Sequence, residues 1–472
     1  MKKINIVFVN PCPKAGGINE ATIEPPMGLA YMSAVLENNK FTCSILDANV
    51  LRLDIHQTIK EIVKKRPDIV GISANIITAS AANQIAKRIK EQLPSLLVIV
   101  GGPYPTSSPL ECLQESQVDM VVIGEGEETM LDIAEKWRNN KKNINEVSGI
   151  AYLKKNKVYF TPKRQLISDI NKLPLPAYHL LPNLNLYKTR ARAKPVASIF
   201  TSRGCPFQCV YCSSNIFGKK YRMRSSQNVL IEIDYLVKNF KVKQIDILDD
   251  NFTLDQKRTA EILDGIILRK YHLAINLQSG VRADKVDLNL IRKMKEAGVF
   301  KIPFGVETGD KKILKRIKKN LDLKAVIKAT QWAKQEGLTT YGFFMFGLPG
   351  DNAKSMQKTI DFAIKMDPDI AHFGITIPFP GTELYKETDK QGSFLIPILN
   401  GLNLGFESGK VFYLLPGMDQ KQIIKFYKKA YRDFYFRPVK MIKTIMSIKS
   451  LYELKWIIQA SISMISNLIL KF

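Results

Sequence analysis

The sequence predicts an α/β protein in three parts: a doubly wound parallel sheet, a partial (β/α)6 barrel and a helical extension. Three observations predict it. Short apolar runs alternate with amphipathic helical stripes over residues 1–145. The same alternation restarts near residue 196 and runs through six strands. After about residue 390 the pattern becomes helical, basic and aromatic. Apolar strands alternating with helices mark parallel sheets covered on both faces, and such sheets bind ligands beyond the carboxyl ends of their strands.

In the first part (1–145), Ile4–Val9 reads as a strand and Gly28–Asn38 as a helix with Leu29, Met32 and Leu36 in one stripe. Cys43–Leu46, Ile69–Ser73, Leu96–Val100 and Met120–Ile123 are the further strands. Ile55–Lys65, Ala79–Leu93 (ended by Pro94) and Glu127–Arg138 are the further helices. In the stretch 146–190, Val147–Leu153 and Lys157–Phe160 read as a small hairpin, and Pro174, Pro176 and Pro182 break any helix, so the stretch reads as a linker. Over 191–390 the strands are Val196–Thr201, Gln244–Leu248, Ala274–Gln278, Phe300–Val306, Thr339–Phe346 and Ile370–Thr376. The helices Asn228–Asn239, Asp255–Arg269, Asn289–Ala297 and Leu323–Gln335 lie between them. Barrels of this kind place their chemistry on loops at the strands' carboxyl ends.

Composition bounds the function. At 472 residues with 45% hydrophobic and 24% charged, the chain reads as two or three globular domains and not as disorder. The net charge of +26 fits an anionic partner or a generally lysine-rich composition, since the lysines are spread along the chain. Met1-Lys2-Lys3 leads straight into the first strand, and no run reaches the roughly 18 apolar residues of a spanning helix. A cytoplasmic enzyme is expected. Six cysteines in so long a chain argue for metal or catalytic use and against a disulfide framework.

The strand at 196–201 runs into Ser202-Arg203-Gly204-Cys205-Pro206-Phe207-Gln208-Cys209-Val210-Tyr211-Cys212. Three thiols in one loop suit an iron–sulfur cluster or zinc. Structural zinc takes four protein ligands, and no histidine follows within twenty residues. Three ligands on a four-iron cube leave one iron open to chelate the amino and carboxylate groups of S-adenosylmethionine (SAM). The spacing C-x-x-x-C-aromatic-C resembles the radical SAM superfamily. The resemblance covers roughly residues 190–390 and implies a [4Fe-4S] cluster on Cys205, Cys209 and Cys212 that cleaves SAM to a 5′-deoxyadenosyl radical. It implies SAM contacts from Tyr211, from Asp249, Asp250 and Asn251, from Ser279 and Arg282, from Glu307, and from Gly347.

Glycine-rich loops end the strands of the first part: Asn10–Gly17, Ser73–Thr78, Gly101-Gly102-Pro103 and Gly124-Glu125-Gly126-Glu127. With Pro25-Pro26-Met27-Gly28-Leu29 they resemble the cobalamin (B12)-binding domain that precedes many radical SAM domains. That resemblance implies cobalamin contacts at Asn10, Gly28, Ser73, Thr78, Gly101, Gly102, Pro103, Gly124, Glu125, Gly126 and Glu127. One departure matters. The Asp-x-His-x-x-Gly motif is missing after the first strand, where Asn10-Pro11-Cys12-Pro13 stands instead. His56 reads as a surface helix residue, and the lower ligand of cobalt stays unassigned. Relatives in this class commonly bind cobalamin without a histidine ligand. A rival layout is the tRNA methylthiotransferase, whose amino-terminal cysteines would be Cys12, Cys43 and Cys112. These lie in strand-like or helix-like runs and read better as small buried hydrophobes, which makes a nucleic-acid partner unlikely.

The expected activity is that of a cobalamin-dependent radical SAM enzyme, methylating an unactivated carbon of a small or lipid-like metabolite. Oxidation or cyclisation without methyl transfer is the alternative, and a non-catalytic corrinoid and iron–sulfur protein is a second. An external flavodoxin- or ferredoxin-type electron donor is implied. Residues 391–472 form a helical basic region, and 419–472 carry 11 Lys/Arg against 3 Asp/Glu. Phe426, Tyr427, Tyr431, Phe434, Tyr435 and Phe436 interleave with Lys425, Lys428, Lys429 and Arg432, and Ile442–Leu470 holds Trp456. Such helices either pack on the barrel or lie at the inner membrane face. His179, His272 and His372 read as structural, with His372 a candidate substrate contact.

Overall fold

The computed structural model describes residues 4–13, 22–139, 143–189, 191–214, 216–399 and 409–446. The chain divides into two units. One comprises Met1–Phe207, Ser213–Gly280 and Asn289–Phe300; the other comprises Gln208–Cys212, Val281–Leu288 and Lys301–Phe472.

The first unit opens with β1 (Asn5–Asn10), α1 (Met27–Asn38), β2 (Thr42–Asp47), α2 (Ile55–Lys64), β3 (Ile69–Ser73), α3 (Ala79–Gln92) and β4 (Leu97–Gly101). Then come α4 (Pro103–Ser107), α5 (Pro109–Ser116), β5 (Met120–Val122), α6 (Glu127–Arg138), β6 (Ile150–Lys154) and β7 (Lys157–Phe160). The sheet order is β2-β1-β3-β4-β5-β6-β7, parallel through β5. Ile6, Val7, Phe8 and Val9 of β1 are all buried, as a strand covered on both faces requires. Chain order reverses between β1 and β3, and that switch point opens a crevice at the strands' carboxyl ends. Helix α2 starts with a capping box in which Asp54 and Gln57 bond each other's backbone. The β6–β7 hairpin, read from the sequence as part of a linker, instead extends this sheet. Its Ile150 and Ala151 are fully buried, and Val121 pairs with Ala151.

The second βα series begins in the same unit with β8 (Val196–Ile199), α7 (Ser226–Phe240), β9 (Gln244–Ile247), α8 (Gln256–Arg269) and β10 (Ala274–Leu277). The three strands are parallel, with Ser198, Asp246 and Asn276 in one cross-strand row. Ser225 and Asp255 cap α7 and α8. α9 (Leu288–Ala297) follows.

The second unit carries β11 (Val299–Glu307, from Lys301 onward), α10 (Lys311–Arg316), α11 (Leu323–Gln335), β12 (Thr339–Phe346), α12 (Ala353–Met366) and β13 (Ile370–Ile375). After α13 (Glu383–Gln391), a short antiparallel pair joins Ser393–Phe394 to Tyr413–Leu414. That pair is an addition to the all-helical end the sequence suggests. Strands β11, β12 and β13 are parallel, with a register shift between Gly305 and Glu307.

The tail begins with α14 (Gln420–Tyr435) and α15 (Pro438–Met446). Helix α14 packs on α12 and β13 and buries Ile423, Tyr427, Ala430 and Phe434, one stripe at helical spacing. Full burial of such an aromatic or aliphatic side chain contributes roughly 1.5–3 kcal/mol. The Tyr435 hydroxyl donates to the Ala371 carbonyl (2.8 Å) and accepts from its N–H (3.1 Å). Tyr431 does the same at Phe373. The interleaved aromatics are therefore mostly packing groups. Beyond Met446 the Ile442–Leu470 segment, with Trp456, lies outside the described residues. Among the described residues no helix is long and apolar enough to cross a membrane.

Candidate cobalamin and iron–sulfur site

A cavity of about 270 Å³ opens at the switch point of the first sheet. Its walls are Phe8, Gly71, Ile72, Ser73, Ile99 and Val122 from the strands, Leu29, Tyr31, Met32 and Met130 from the helices, and Phe200, Ile216 and Phe217 from the second series. Gly28, Gly101, Gly102, Pro103, Gly124, Glu125, Gly126 and Glu127 complete them. A methyl group added at Gly28 or Gly124 would meet nothing within 4 Å, so these glycines leave a cradle of open space. Gly102 has a different reason: at φ +112° any side chain would be strained and would press on the Ala74 carbonyl at 2.7 Å. Glycine-floored, largely apolar walls fit a broad flat ligand such as a corrin. Among the described residues no histidine lines the cavity. Asn10 and Thr78 lie off it: Asn10 Nδ2 donates to Asp47 Oδ1 (2.8 Å), and Thr78 Oγ1 accepts from the Asn75 N–H (3.0 Å). Residues 14–17 of the first loop lie outside the described residues.

A buried charge cluster forms part of the wall, with Arg203 lining the cavity beside Glu125 and Glu127. Arg203 donates to Glu125 (2.9 Å) and Glu127 (2.6 Å), and Arg222 donates to Glu125 (2.8 Å). All four are buried. Burial alone would lower the Arg203 guanidinium's pKa, but Glu127 and Glu125 outweigh it and hold the pKa above its ordinary value. The guanidinium also lies over the Tyr31 ring (5.1 Å) and the Phe217 ring (5.0 Å). Arg203 is two residues before Cys205. The cavity wall and the root of the cysteine loop are thus fixed to one another.

Cys205 and Cys209 are half-buried and Cys212 is exposed. Gly204, at φ +83°, makes the turn into the loop, where a side chain would strike the Lys220 carbonyl. The Cys205 N–H donates to Gly218 O (3.3 Å). In the second unit the Gln208–Cys212 segment is held on two sides, by Val210 N–H to Ile317 O (3.2 Å) and Leu384 N–H to Val210 O (2.9 Å). Among the described residues no three His, Cys, Asp or Glu are already gathered at metal-binding separation. The donor set nevertheless fits the cluster, with three soft sulfurs in one loop. The other cysteines differ. Burial pushes the Cys43 and Cys112 thiols up to about 12, which makes them inert, and burial also raises Cys12.

The B12 binding domain family matches residues 13–134, and the Radical SAM superfamily matches residues 199–363. An uncharacterised methyltransferase of Pyrococcus horikoshii is 34% identical over 94% of this chain and 95% of its own length. The chain belongs to the cobalamin-dependent radical SAM enzymes. Its cofactors are cobalamin, SAM and a [4Fe-4S] cluster. An anaerobic magnesium-protoporphyrin IX monomethyl ester cyclase of Rubrivivax gelatinosus is 28% identical over 81% of this chain and 70% of its own. The fold is shared with the radical SAM methyltransferase TsrM of Kitasatospora setae, at TM-score 0.71 and 16% identity over 93% of this chain and 90% of that one.

In this radical SAM enzyme the strand-end residues divide into those already spent and those with capacity left. Asp249 is 2% exposed and accepts from the Thr201 N–H and the Ser202 hydroxyl, both at 2.6 Å. It braces the strand that feeds the cysteine loop. The Gly204 N–H donates to Asp250. Asn251 Oδ1 and Thr253 Oγ1 are buried with no hydrogen-bond partner among the described residues, which fits a ligand bearing an ammonium group. Ser279 is exposed, its hydroxyl 3.3 Å from the Leu248 carbonyl. Arg282 bonds Asp284 and the carbonyls of Lys319 and Asn320. Gly347 turns at φ +72° after β12, its carbonyl accepting from the Tyr413 hydroxyl.

Lys319 was not legible in the sequence. It sits in a lysine-rich run that reads as a solvated face, yet it is 8% exposed and bonds Glu307 at 2.6 Å. Its Nζ also lies 3.5 Å from the Tyr211 hydroxyl, so it joins the strand-end acid to the aromatic of the cysteine motif. Glu307 adopts φ +69°, a strained conformation for a side-chain-bearing residue, at the register shift in β11. Burial first, then Glu307, pushes the Tyr211 hydroxyl's pKa well above its ordinary value and keeps it neutral. His56 is exposed on α2, and His372 stands edge-on to Phe343 at 5.7 Å.

Proposed function

We propose that this enzyme transfers a methyl group to an unactivated carbon of a small-molecule substrate. Cys205, Cys209 and Cys212 would hold the cluster, and the glycine-floored cavity would hold the corrin. Asn251, Tyr211 and the Glu307–Lys319 pair would orient SAM. When bound, the cluster and SAM supply hydrogen abstraction and cobalamin supplies the methyl carrier. The residues' own task is placement. Arg203, locked on Glu125 and Glu127, holds the corrin wall and the root of the cysteine loop in fixed relation, and that observation carries the two-cofactor reading. The 34% likeness to a protein named as a methyltransferase supports methyl transfer. The likeness to the protoporphyrin ester cyclase supports radical oxidation or cyclisation as a second reading.

Anaerobic turnover with SAM and a flavodoxin-type donor separates the two. Methyl transfer requires S-adenosylhomocysteine and 5′-deoxyadenosine together, both lost in Cys205→Ala. 5′-Deoxyadenosine alone, in the presence of a converted substrate, establishes the cyclase reading instead. We further infer peripheral contact with an anionic membrane through α15 and the residues after it. Val439, Met441 and Ile442 are 63%, 47% and 58% exposed, within a stretch rich in lysine. Deleting residues 440–472 should abolish sedimentation with anionic liposomes; unchanged sedimentation defeats this inference.

A further inference from the structure

In the first unit the barrel strands β8, β9 and β10 have two faces of opposite character. Ala197, Ile199, Ile245, Ile247, Ile275 and Leu277 make one of them hydrocarbon. Alternation puts Ser198, Asp246 and Asn276 on the other, directly abreast of one another and fully buried.

A polar row at this depth costs stability unless its groups are bonded. Part of it is. Gln244 Nε2 donates to Asp246 Oδ1 (2.8 Å), Asn276 Nδ2 donates to Gln278 Oε1 (2.8 Å), and Gln278 Nε2 donates onward to Glu24. What is left over is an amide oxygen that can only accept and a hydroxyl that can accept or donate. Among the described residues Ser198 Oγ and Asn276 Oδ1 have no hydrogen-bond partner, and they flank the Asp246 carboxylate. The strands alone would be at least as stable with apolar groups of the same shape there. The missing complement therefore includes at least one N–H or O–H donor, for Asn276 Oδ1, with the Ser198 hydroxyl free to serve the same ligand in either role.

The row lies just short of strand ends that carry cavity and loop contacts. Two residues beyond Ser198 is Phe200, which lines the corrin cavity, and three residues beyond Asp246 is Asp249, which braces Thr201 and Ser202. We propose that Ser198, Asp246 and Asn276 form the recognition site for a donor-bearing head group of the substrate, an amine or a hydroxyl-rich group. This rests on the small-molecule reading above and narrows it: the methylated compound has at least one strongly polar end. An ammonium group would make charge-assisted bonds to Asp246, whereas adjacent hydroxyls would divide their donors among the three oxygens.

The test uses ethanolamine, glucosamine and inositol as probes on the full-length enzyme carrying its cluster and cobalamin, with binding read by saturation-transfer NMR. At least one probe should bind at millimolar concentration. Asn276→Leu and Ser198→Val should each weaken it by roughly tenfold, the worth of a hydrogen bond to a charged or buried group. Asn276→Asp keeps the shape and adds a charge, so it should strengthen the amines relative to inositol. Preference of the unaltered enzyme for the amines identifies an ammonium head, preference for inositol a polyol, and either upholds the site. Corrin content and cluster absorbance of each variant report its folding. The proposal is overturned if no probe binds or if binding ignores all three substitutions. It is equally overturned if a crystal of the probe-saturated holoenzyme holds only ordered water in the row. Release of 5′-deoxyadenosine from SAM by the unaltered enzyme, measured without a probe, decides the radical reading separately.

Discussion

At the carboxyl ends of β1 to β5 the chain withholds side chains, whereas at the ends of β8 to β10 it supplies them. Gly28, Gly101, Gly102, Gly124 and Gly126 floor the first site. Asp249, Asn251 and Thr253 crowd the end of β9, and all three are buried. The difference suits the two ligands proposed above. A wide flat ring gains from backbone that lies close and level, while a small zwitterion gains from a few directed polar atoms. A third device is the Arg203–Glu125–Glu127–Arg222 cluster, which lines the first cavity and ties it to the root of the cysteine loop.

The largest expected effect tests that linkage. Arg203→Met leaves Glu127 without its buried partner and Glu125 with one of two, and should cost about 3–5 kcal/mol in chemical unfolding, with loss of bound corrin. A cost below about 1 kcal/mol would show the cluster to be dispensable. Next, Lys319→Met strands Glu307 in the same way on the second unit. It should raise the SAM concentration needed for half-maximal 5′-deoxyadenosine release by roughly tenfold or more, with partial rescue by Lys319→Arg. An unchanged requirement removes Lys319 from the SAM site. Third, Gly28→Leu fills empty space without backbone strain. It should lower corrin content by about tenfold, as overpacking of 1–3 kcal/mol in the loaded state implies, while cluster absorbance stays put. Equal loss of both cofactors would erase the distinction between the two strand-end designs.

The smallest effect lies away from both sites. Burial pushes the Lys440 ammonium of α15 down to about 8 from 10.5. Between those values the unfolded chain holds the proton more tightly than the folded one, so this group makes stability rise with pH across that window. Its cost is fully present below pH 8. Lys440→Met should flatten the rise. It should also leave stability at pH 7 equal or higher by on the order of 1 kcal/mol, once the lost bond to Pro368 is set against the removed charge. A rise of unchanged slope in thermal scans between pH 8 and 10 would assign it to another group.

Much of this was legible in the sequence, and the reason is local. Glycines at strand ends and thiols at fixed spacing declare themselves within a few residues, so the glycine-floored cavity and the cysteine loop could be read directly. Strand positions followed from apolar runs such as Ile69–Ser73 and Thr339–Phe346, recovered residue for residue. What could not be read is pairing over distance. Arg203 finds Glu125 across 78 residues, and Lys319 reaches Tyr211 across 108. Both cations look in sequence like any other of the chain's 70 lysines and arginines. The hairpin at 150–160 was misplaced for a related reason: period-two alternation marks a strand but does not say which edge accepts it.

Tyr431 and Tyr435 have a consequence for how the molecule behaves in a crowd. The outer edge of β13 would otherwise offer open amides and carbonyls, the template on which a stray extended peptide docks and fibrils start. Two phenols occupy those positions at Ala371 and Phe373, each serving as donor and acceptor at once. A helix here performs the closing duty of an additional strand. Unseating it during synthesis or heating would turn a catalyst into a seed for aggregation.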